Sequence, residues 1–206
     1  MDDTEWEDDF ERQWDEFKEA AERVAEETEN LPKNKHSVHH SSKSQTWNTP
    51  HELFDPLNDI WKFTLDVACL ESSALCDKFF TPDDDGLAQD WFNDIVWENP
   101  PYDDIKTWTI KSTEEHAKGA TIVMLIPSRT DTKAFQDYIA TSATCVCFLR
   151  GRLKFDNPSL PSWREDGTHK KGGAPFPSLL VIWDDNMTQE KYDHLNSIGT
   201  VMVMRK

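Results

Sequence analysis

Ile95-Val96-Trp97-Glu98-Asn99-Pro100-Pro101-Tyr102 is the stretch whose reading decides how the rest of this chain is organised. Ile95 to Trp97 is an apolar run that reads as the end of a short strand. Beyond Tyr102, Asp103 and Asp104 lead into a helical pattern, Ile105-Lys106-Thr107-Trp108-Thr109-Ile110. The segment Asn99 to Tyr102 therefore stands where a strand leaves a sheet and a helix begins, which in open α/β sheets is where the ligand crevice lies. Two adjacent prolines fix φ and keep the residue before them extended, so the backbone here is stiff. A stiff backbone can aim the Asn99 side-chain oxygen and the Pro100 carbonyl at one point. Both are acceptors, and an amino group carries two donors. Tyr102 adds a flat ring on which a planar group can stack. The set suits an aromatic amine held for chemistry on its nitrogen. Taken alone, the tetrapeptide reads equally well as a proline-rich turn.

On the C-terminal side, residues 103–117 read as a helix with Gly119 just past its end. Ala120 to Ile126 is a buried strand stopped by Pro127, and 131–141 is a helix with Phe135, Tyr138 and Ile139 facing in. Thr144 to Leu149 is a strand that Gly151-Arg152-Leu153-Lys154-Phe155 is expected to continue. Residues 156–175 form a Pro- and Gly-containing loop of a length that is usually functional or mobile in a compact domain. Leu179 to Trp183 and Thr200 to Met204 close the sheet, with a short helix over 188–197 between them. On the N-terminal side, Thr49-Pro50 opens a helix with Pro in its first turn. Its apolar face is Leu53, Phe54, Leu57, Ile60 and Trp61. Phe63 to Cys69 is a buried strand, Lys78 to Thr81 a second, and Asp83-Asp84-Asp85-Gly86 a turn. Strand alternating with helix predicts an α/β fold with a mostly parallel sheet.

The ends of the chain differ from this core. Trp6, Phe10, Trp14, Phe17, Ala21 and Val24 recur at spacings of three and four, which predicts an acidic amphipathic helix within residues 1–30. Packing on its own domain, self-association and binding of a protein partner are all open destinations for that stripe. Residues 31–45 are polar, Ser-rich and basic and read as a flexible linker, in which His36, His39 and His40 are solvated rather than metal ligands. Residues 46–206 are the globular domain. The formal net charge is −17, and it is uneven: the first thirty residues hold 14 acids against 3 bases, while residues 128–171 hold 8 bases against 5 acids. Overall charge argues against loose binding to nucleic acid, yet one C-terminal region can still touch phosphates. The four cysteines (Cys69, Cys76, Cys145, Cys147) include no Cys-x-x-Cys pair, and no metal site is expected from them. No secretory signal and no run apolar enough to span a bilayer is visible, so reduced thiols in a cytoplasm are expected, with no membrane partner.

Several short pieces occur together in one order: Trp47-Asn48-Thr49-Pro50, Phe63-Thr64-Leu65-Asp66-Val67-Ala68, Asp85-Gly86-Leu87-Ala88-Gln89-Asp90-Trp91, Asn99-Pro100-Pro101-Tyr102, Gly151-Arg152-Leu153-Lys154-Phe155 and Phe176-Pro177-Ser178. Asn-Pro-Pro-Tyr is an amino-methyltransferase motif, and the chain from about residue 46 to 206 resembles the phage-type DNA N-6-adenine methyltransferase (Dam) family. The resemblance implies a Rossmann-like sheet that uses S-adenosylmethionine to methylate the exocyclic amine of a flipped adenine in DNA. It implies the cytoplasm of a bacterial host as the setting, if the gene is carried by a phage or prophage. Asn99, Pro100, Pro101 and Tyr102 become the catalytic segment. Trp47, Thr49, Pro50, Asp66, Asp90 and Asn99 become the cofactor-binding set. For DNA, Arg129, Lys133, Arg150, Arg152, Lys154, Lys170 and Lys171 are the favoured contacts. Arg152 and Lys154 alternate with Leu153 and Phe155 and so share a polar face. One departure is plain: no Gly-x-Gly follows the first strand, where the loop reads Cys69-Leu70-Glu71-Ser72-Ser73. The alternatives are a catalytically inactive methyltransferase fold that recruits a protein partner, and methylation of an amide outside DNA.

Overall fold

The computed structural model describes residues 47–155 and 174–204. The expected acidic helix, the linker, Lys170, Lys171 and most of the 156–175 loop lie outside the described residues.

The described chain opens with helix α1 (His51–Trp61), started by Pro50 as its N-cap with φ −70° and ψ 138°. Pro50 thus precedes the helix instead of occupying its first turn. Pro56 stands inside α1, and the rung it removes falls on Glu52, an exposed residue. Seven strands follow: β1 (Leu65–Asp66), β2 (Lys78–Phe79), β3 (Ile95–Glu98), β4 (Thr121–Pro127), β5 (Cys145–Leu149), β6 (Ser178–Trp183) and β7 (Gly199–Val203). Helix α2 (Ile105–Ala117) links β3 to β4, and helix α3 (Gln189–Ile198) links β6 to β7. Between β4 and β5 the expected helix is a π-helical turn, Ala134–Ile139, followed by one α-turn, Ala140–Ser142. Phe135 and Ile139 are buried there as expected, whereas Tyr138 is only half-buried.

The strands form one sheet in the order β2-β1-β3-β4-β6-β5-β7. The pairings β1–β2, β1–β3 and β3–β4 are parallel, and β4–β6, β6–β5 and β5–β7 are antiparallel. The expected mostly parallel sheet holds for one half only. β5 ends and β6 begins at the same edge of the sheet, so the chain returns with its direction reversed. It then lies between β4 and β5, antiparallel to both. Nor does 151–155 continue β5 as expected. Gly151, at φ +83°, turns the chain in a conformation that side chains with a Cβ rarely adopt, and the ladder ends at Leu149.

Alternation along β4 divides the core into two. Val123 and Leu125 face α1 and α3, packing with Leu53, Phe54, Leu57, Trp61, Trp97 and Leu195. Ile122, Met124 and Ile126 face α2 and the 134–142 segment, packing with Trp108, Phe135 and Ile139. The sheet is therefore covered on both sides, and β4 is apolar throughout because neither face meets water. Cys145 and Cys147 share the first face, and all four cysteines are free thiols. No helix among the described residues is long and apolar enough to cross a membrane.

Candidate active site

β1 is flanked by β2 on one side and β3 on the other, so strand order reverses across it. Such a switch point opens a crevice at the carboxyl ends of the strands. Asp66 ends β1 and Asn99 follows β3, which places both at this crevice.

Asp66 is 2% exposed. One carboxylate oxygen accepts from the Ala68 N–H at 3.4 Å and the other from the Leu75 N–H at 3.1 Å, so the acid ties together the 67–75 loop. Burial raises its pKa to about 6 against the opposing pull of those hydrogen bonds. Nearby Cys69 and Cys76 stay protonated: burial and the Asp66 charge push both thiols up, Cys76 to about 12. A Cβ on Gly86 would overlap the Val67 carbonyl, so only glycine lets the 85–91 segment lie against the end of β1.

The Asn99 amide is held on three sides. Its Nδ2 donates to the Trp47 carbonyl at 2.6 Å and to Thr49 Oγ1 at 3.1 Å. Its Oδ1 accepts from the Tyr102 hydroxyl at 3.1 Å. An amide oxygen has a second lone pair, and among the described residues the Pro100 carbonyl takes no hydrogen bond. Two acceptors are thus left at the end of β3. Around them stand four rings. Trp47 and Tyr102 lie nearly parallel, 6.5 Å between centroids and 17° between planes. Phe155 and Phe176 meet Trp47 edge-on, each at 5.1 Å. Burial holds the Tyr102 phenol protonated, well above its ordinary range. Phe155 and Phe176 were absent from the expected site set. The signal for them lay in the segments 151–155 and 176–178, where strand-like alternation turns Phe155 inward.

Glu98, directly before Asn99, is the other residue that sequence reasoning missed. It is fully buried beneath α2. Ser112 Oγ lies 2.6 Å from Glu98 Oε2 and 2.9 Å from the Trp108 carbonyl oxygen. A hydroxyl has one proton. Given to the carbonyl, it leaves the short contact to be made by a proton on Glu98 donating to Ser112. Burial pushes the Glu98 carboxyl well above its usual range, in agreement with a neutral acid.

The remaining expected residues divide by position. Arg129 follows β4, and Arg150 follows β5. Both strands run in the same direction, so these arginines share the Asn99 edge. Arg152 and Lys154 are exposed while Leu153 is half-buried and Phe155 buried, the alternation expected. Lys133 is exposed ahead of the π-turn. Among the described residues none of the five pairs with a carboxylate. Asp90 is not brought to the crevice. It is exposed, accepts from the Phe92 N–H at 3.0 Å, and precedes the opposite, amino end of β3. Its neighbour Trp91 is anchored there, its N–H donating to Glu115 near the end of α2 at 2.9 Å.

The described residues thus form an α/β sheet with a clamped amide and an aromatic wall at its switch point. The profile of the family described as "DNA N-6-adenine-methyltransferase (Dam)" matches residues 36–202, and the chain belongs to that family. It is also 32% identical over 102 residues to a protein of Escherichia phage T1 named "DNA N-6-adenine-methyltransferase". That match covers 48% of this chain and 43% of the phage protein, so the chain aligns with less than half of its relative's length.

Proposed function

We propose that the protein is an adenine-specific DNA methyltransferase that transfers a methyl group from S-adenosylmethionine to adenine N6, in the cytoplasm of a bacterial host. The observation that carries this reading is the Asn99 amide, clamped through its nitrogen so that its oxygen is left as an acceptor, one residue before the Pro100 carbonyl. Family membership supports an enzyme over an inactive binding module.

The adenine amine is a poor nucleophile because its lone pair is delocalised into the ring. Accepted at both N–H bonds by Asn99 and Pro100, it is drawn away from planarity and its lone pair becomes available. This is positioning and electrostatic preorganisation, and Pro101 contributes by holding the Pro100 carbonyl in place. The cofactor, when bound, supplies the electrophilic methyl group. The switch-point topology supports a Rossmann-like sheet that binds it across β1 and β3. Asp66 suits the cofactor's hydroxyl or ammonium groups, because each of its oxygens has accepting capacity beyond the loop bond it already makes. Trp47 and Pro50 are proposed to line the cofactor's approach. Asp90, remote from the crevice, has no part in this proposal.

A base inside a duplex is out of reach, so the adenine is flipped toward Tyr102. Arg129, Lys133, Arg150, Arg152 and Lys154, with Lys170 and Lys171 from the sequence, are proposed to hold the flanking phosphates. A net charge of −17 leaves this edge to attract DNA locally against a repelling whole. The test is incubation with unmethylated DNA and S-adenosylmethionine labelled in the methyl group, then digestion and base chromatography. Label is expected in N6-methyladenine. Label in protein, or none anywhere, removes the proposal.

A further inference from the structure

The two ends of the Asn99 amide are nearly equal in size and shape but opposite in hydrogen-bonding sense. Only the oxygen can accept from an amine, so a reversed amide would present donors to donors. The side chain itself has no preference between these orientations, and something outside it must choose.

The neighbours that choose come from a segment 50 and 52 residues earlier in the chain. The Trp47 carbonyl, 2.6 Å from Nδ2, has no proton to give. Reversing the amide would set two acceptor oxygens against each other there. The hydroxyls of Tyr102 and Thr49 can each donate or accept, so neither alone forbids reversal. Thr49 supplies the second acceptor for Nδ2 at 3.1 Å. It is 6% exposed, so water is not free to replace it. With both N–H bonds of Nδ2 engaged, the oxygen is directed toward the crevice before any ligand arrives.

We infer that Thr49 is a positioning residue for the transfer reaction: the Trp47 carbonyl chooses which end of the Asn99 amide meets the amine, and Thr49 holds the amide in that orientation by taking its second N–H. The inference rests on the methyltransferase reading, and it gives Thr49 a role other than the cofactor contact that the family resemblance implies.

The test uses the full chain and the variants Thr49→Val and Thr49→Ser. Thr49→Val keeps the shape and removes the acceptor. It is expected to lower kcat about tenfold, the size of one lost hydrogen bond to a positioned group. The Kd for S-adenosylmethionine, read by calorimetry, should change less than twofold. Thr49→Ser, which keeps the oxygen, should return kcat to within about twofold of wild type. The Asn99 side-chain NH2 signals, assigned by their loss in Asn99→Asp, should move or broaden in Thr49→Val and be retained in Thr49→Ser. Unchanged kcat with unchanged Asn99 signals overturns the inference. So does a cofactor Kd that rises by the same factor as kcat falls, which marks a cofactor contact instead. Should the wild-type protein transfer no methyl group to DNA, the methyltransferase reading fails, and the Asn99 signals still decide whether Thr49 holds the amide.

Discussion

The Tyr102 hydroxyl donates to Asn99 Oδ1 at 3.1 Å, so the last residue of the Asn-Pro-Pro-Tyr segment holds the first. A four-residue span closed by its own side chains, with two prolines between, has little freedom to drift. The same tyrosine presents its ring to Trp47 and its hydroxyl to the Asn99 amide, which joins the aromatic wall to the clamped amide.

Tyr102→Phe separates those two roles. The ring stays and the hydrogen bond goes, leaving Asn99 held through its nitrogen alone. Steady-state kinetics on DNA should show kcat reduced about threefold to tenfold, as for loss of one modest hydrogen bond. Tyr102→Ala removes the stacking surface as well and should lose about 1–3 kcal/mol of target binding. Equal kinetics for the two variants would mean that the ring does not stack the base.

Asp66 titrates in a measurable window. Its folded pKa is about 6, above its ordinary 3.8, so the neutral form is favoured by folding. Stability from this group is fully present below about pH 4 and is lost as pH rises through about 6. A cofactor held by the charged carboxylate responds in the opposite sense, binding more weakly as pH falls below about 6 and levelling off above it. Calorimetric titration of S-adenosylmethionine between pH 5 and 8 reads this directly. Asp66→Asn should flatten the profile, whereas Asp90→Ala should leave both the affinity and the profile intact.

Glu98 is a buried acid next to the Asn99–Tyr102 segment, and its raised pKa has a definite sign. The stability contribution of its neutral form is present below the ordinary glutamate range and is lost as pH rises toward the folded value. Glu98→Gln keeps the shape and cannot ionise. Denaturant titrations at a series of pH values should show Glu98→Gln gaining on wild type as pH rises from 4. A constant difference between the two would show that Glu98 ionises alike in the folded and unfolded chain.

Arg152 and Lys154 lie on the segment that carries Phe155 to the aromatic wall. If they hold phosphates, Arg152→Ala and Lys154→Ala should each weaken binding across sequences and reduce the slope of log K against log salt by about 1. Fluorescence anisotropy at several salt concentrations measures it. An unaltered slope in both variants would take them off the DNA path.

Local pattern was enough to find most elements of this protein. The unbroken apolar run of 122–126 marks a strand buried on both faces. The spacing of Leu53, Phe54, Leu57 and Trp61 marks the packed face of α1, and the paired prolines mark Asn99 as a stiff acceptor. These are properties of neighbouring residues, set by a repeat of two or 3.6 and by the fixed φ of proline. What only the tertiary structure decided are relations between distant residues. Strand direction depends on the edge at which the chain returns, and that placed β6 between β4 and β5. The same accounting of edges separates two acids that look alike in sequence: Asp66 ends a strand at the crevice, whereas Asp90 precedes one at the far side. The clamp on Asn99 joins residues about fifty positions apart, and no periodicity records such a contact. The orientation of that amide is settled by a backbone carbonyl, a group every residue carries, so only its position in the fold gives it a function.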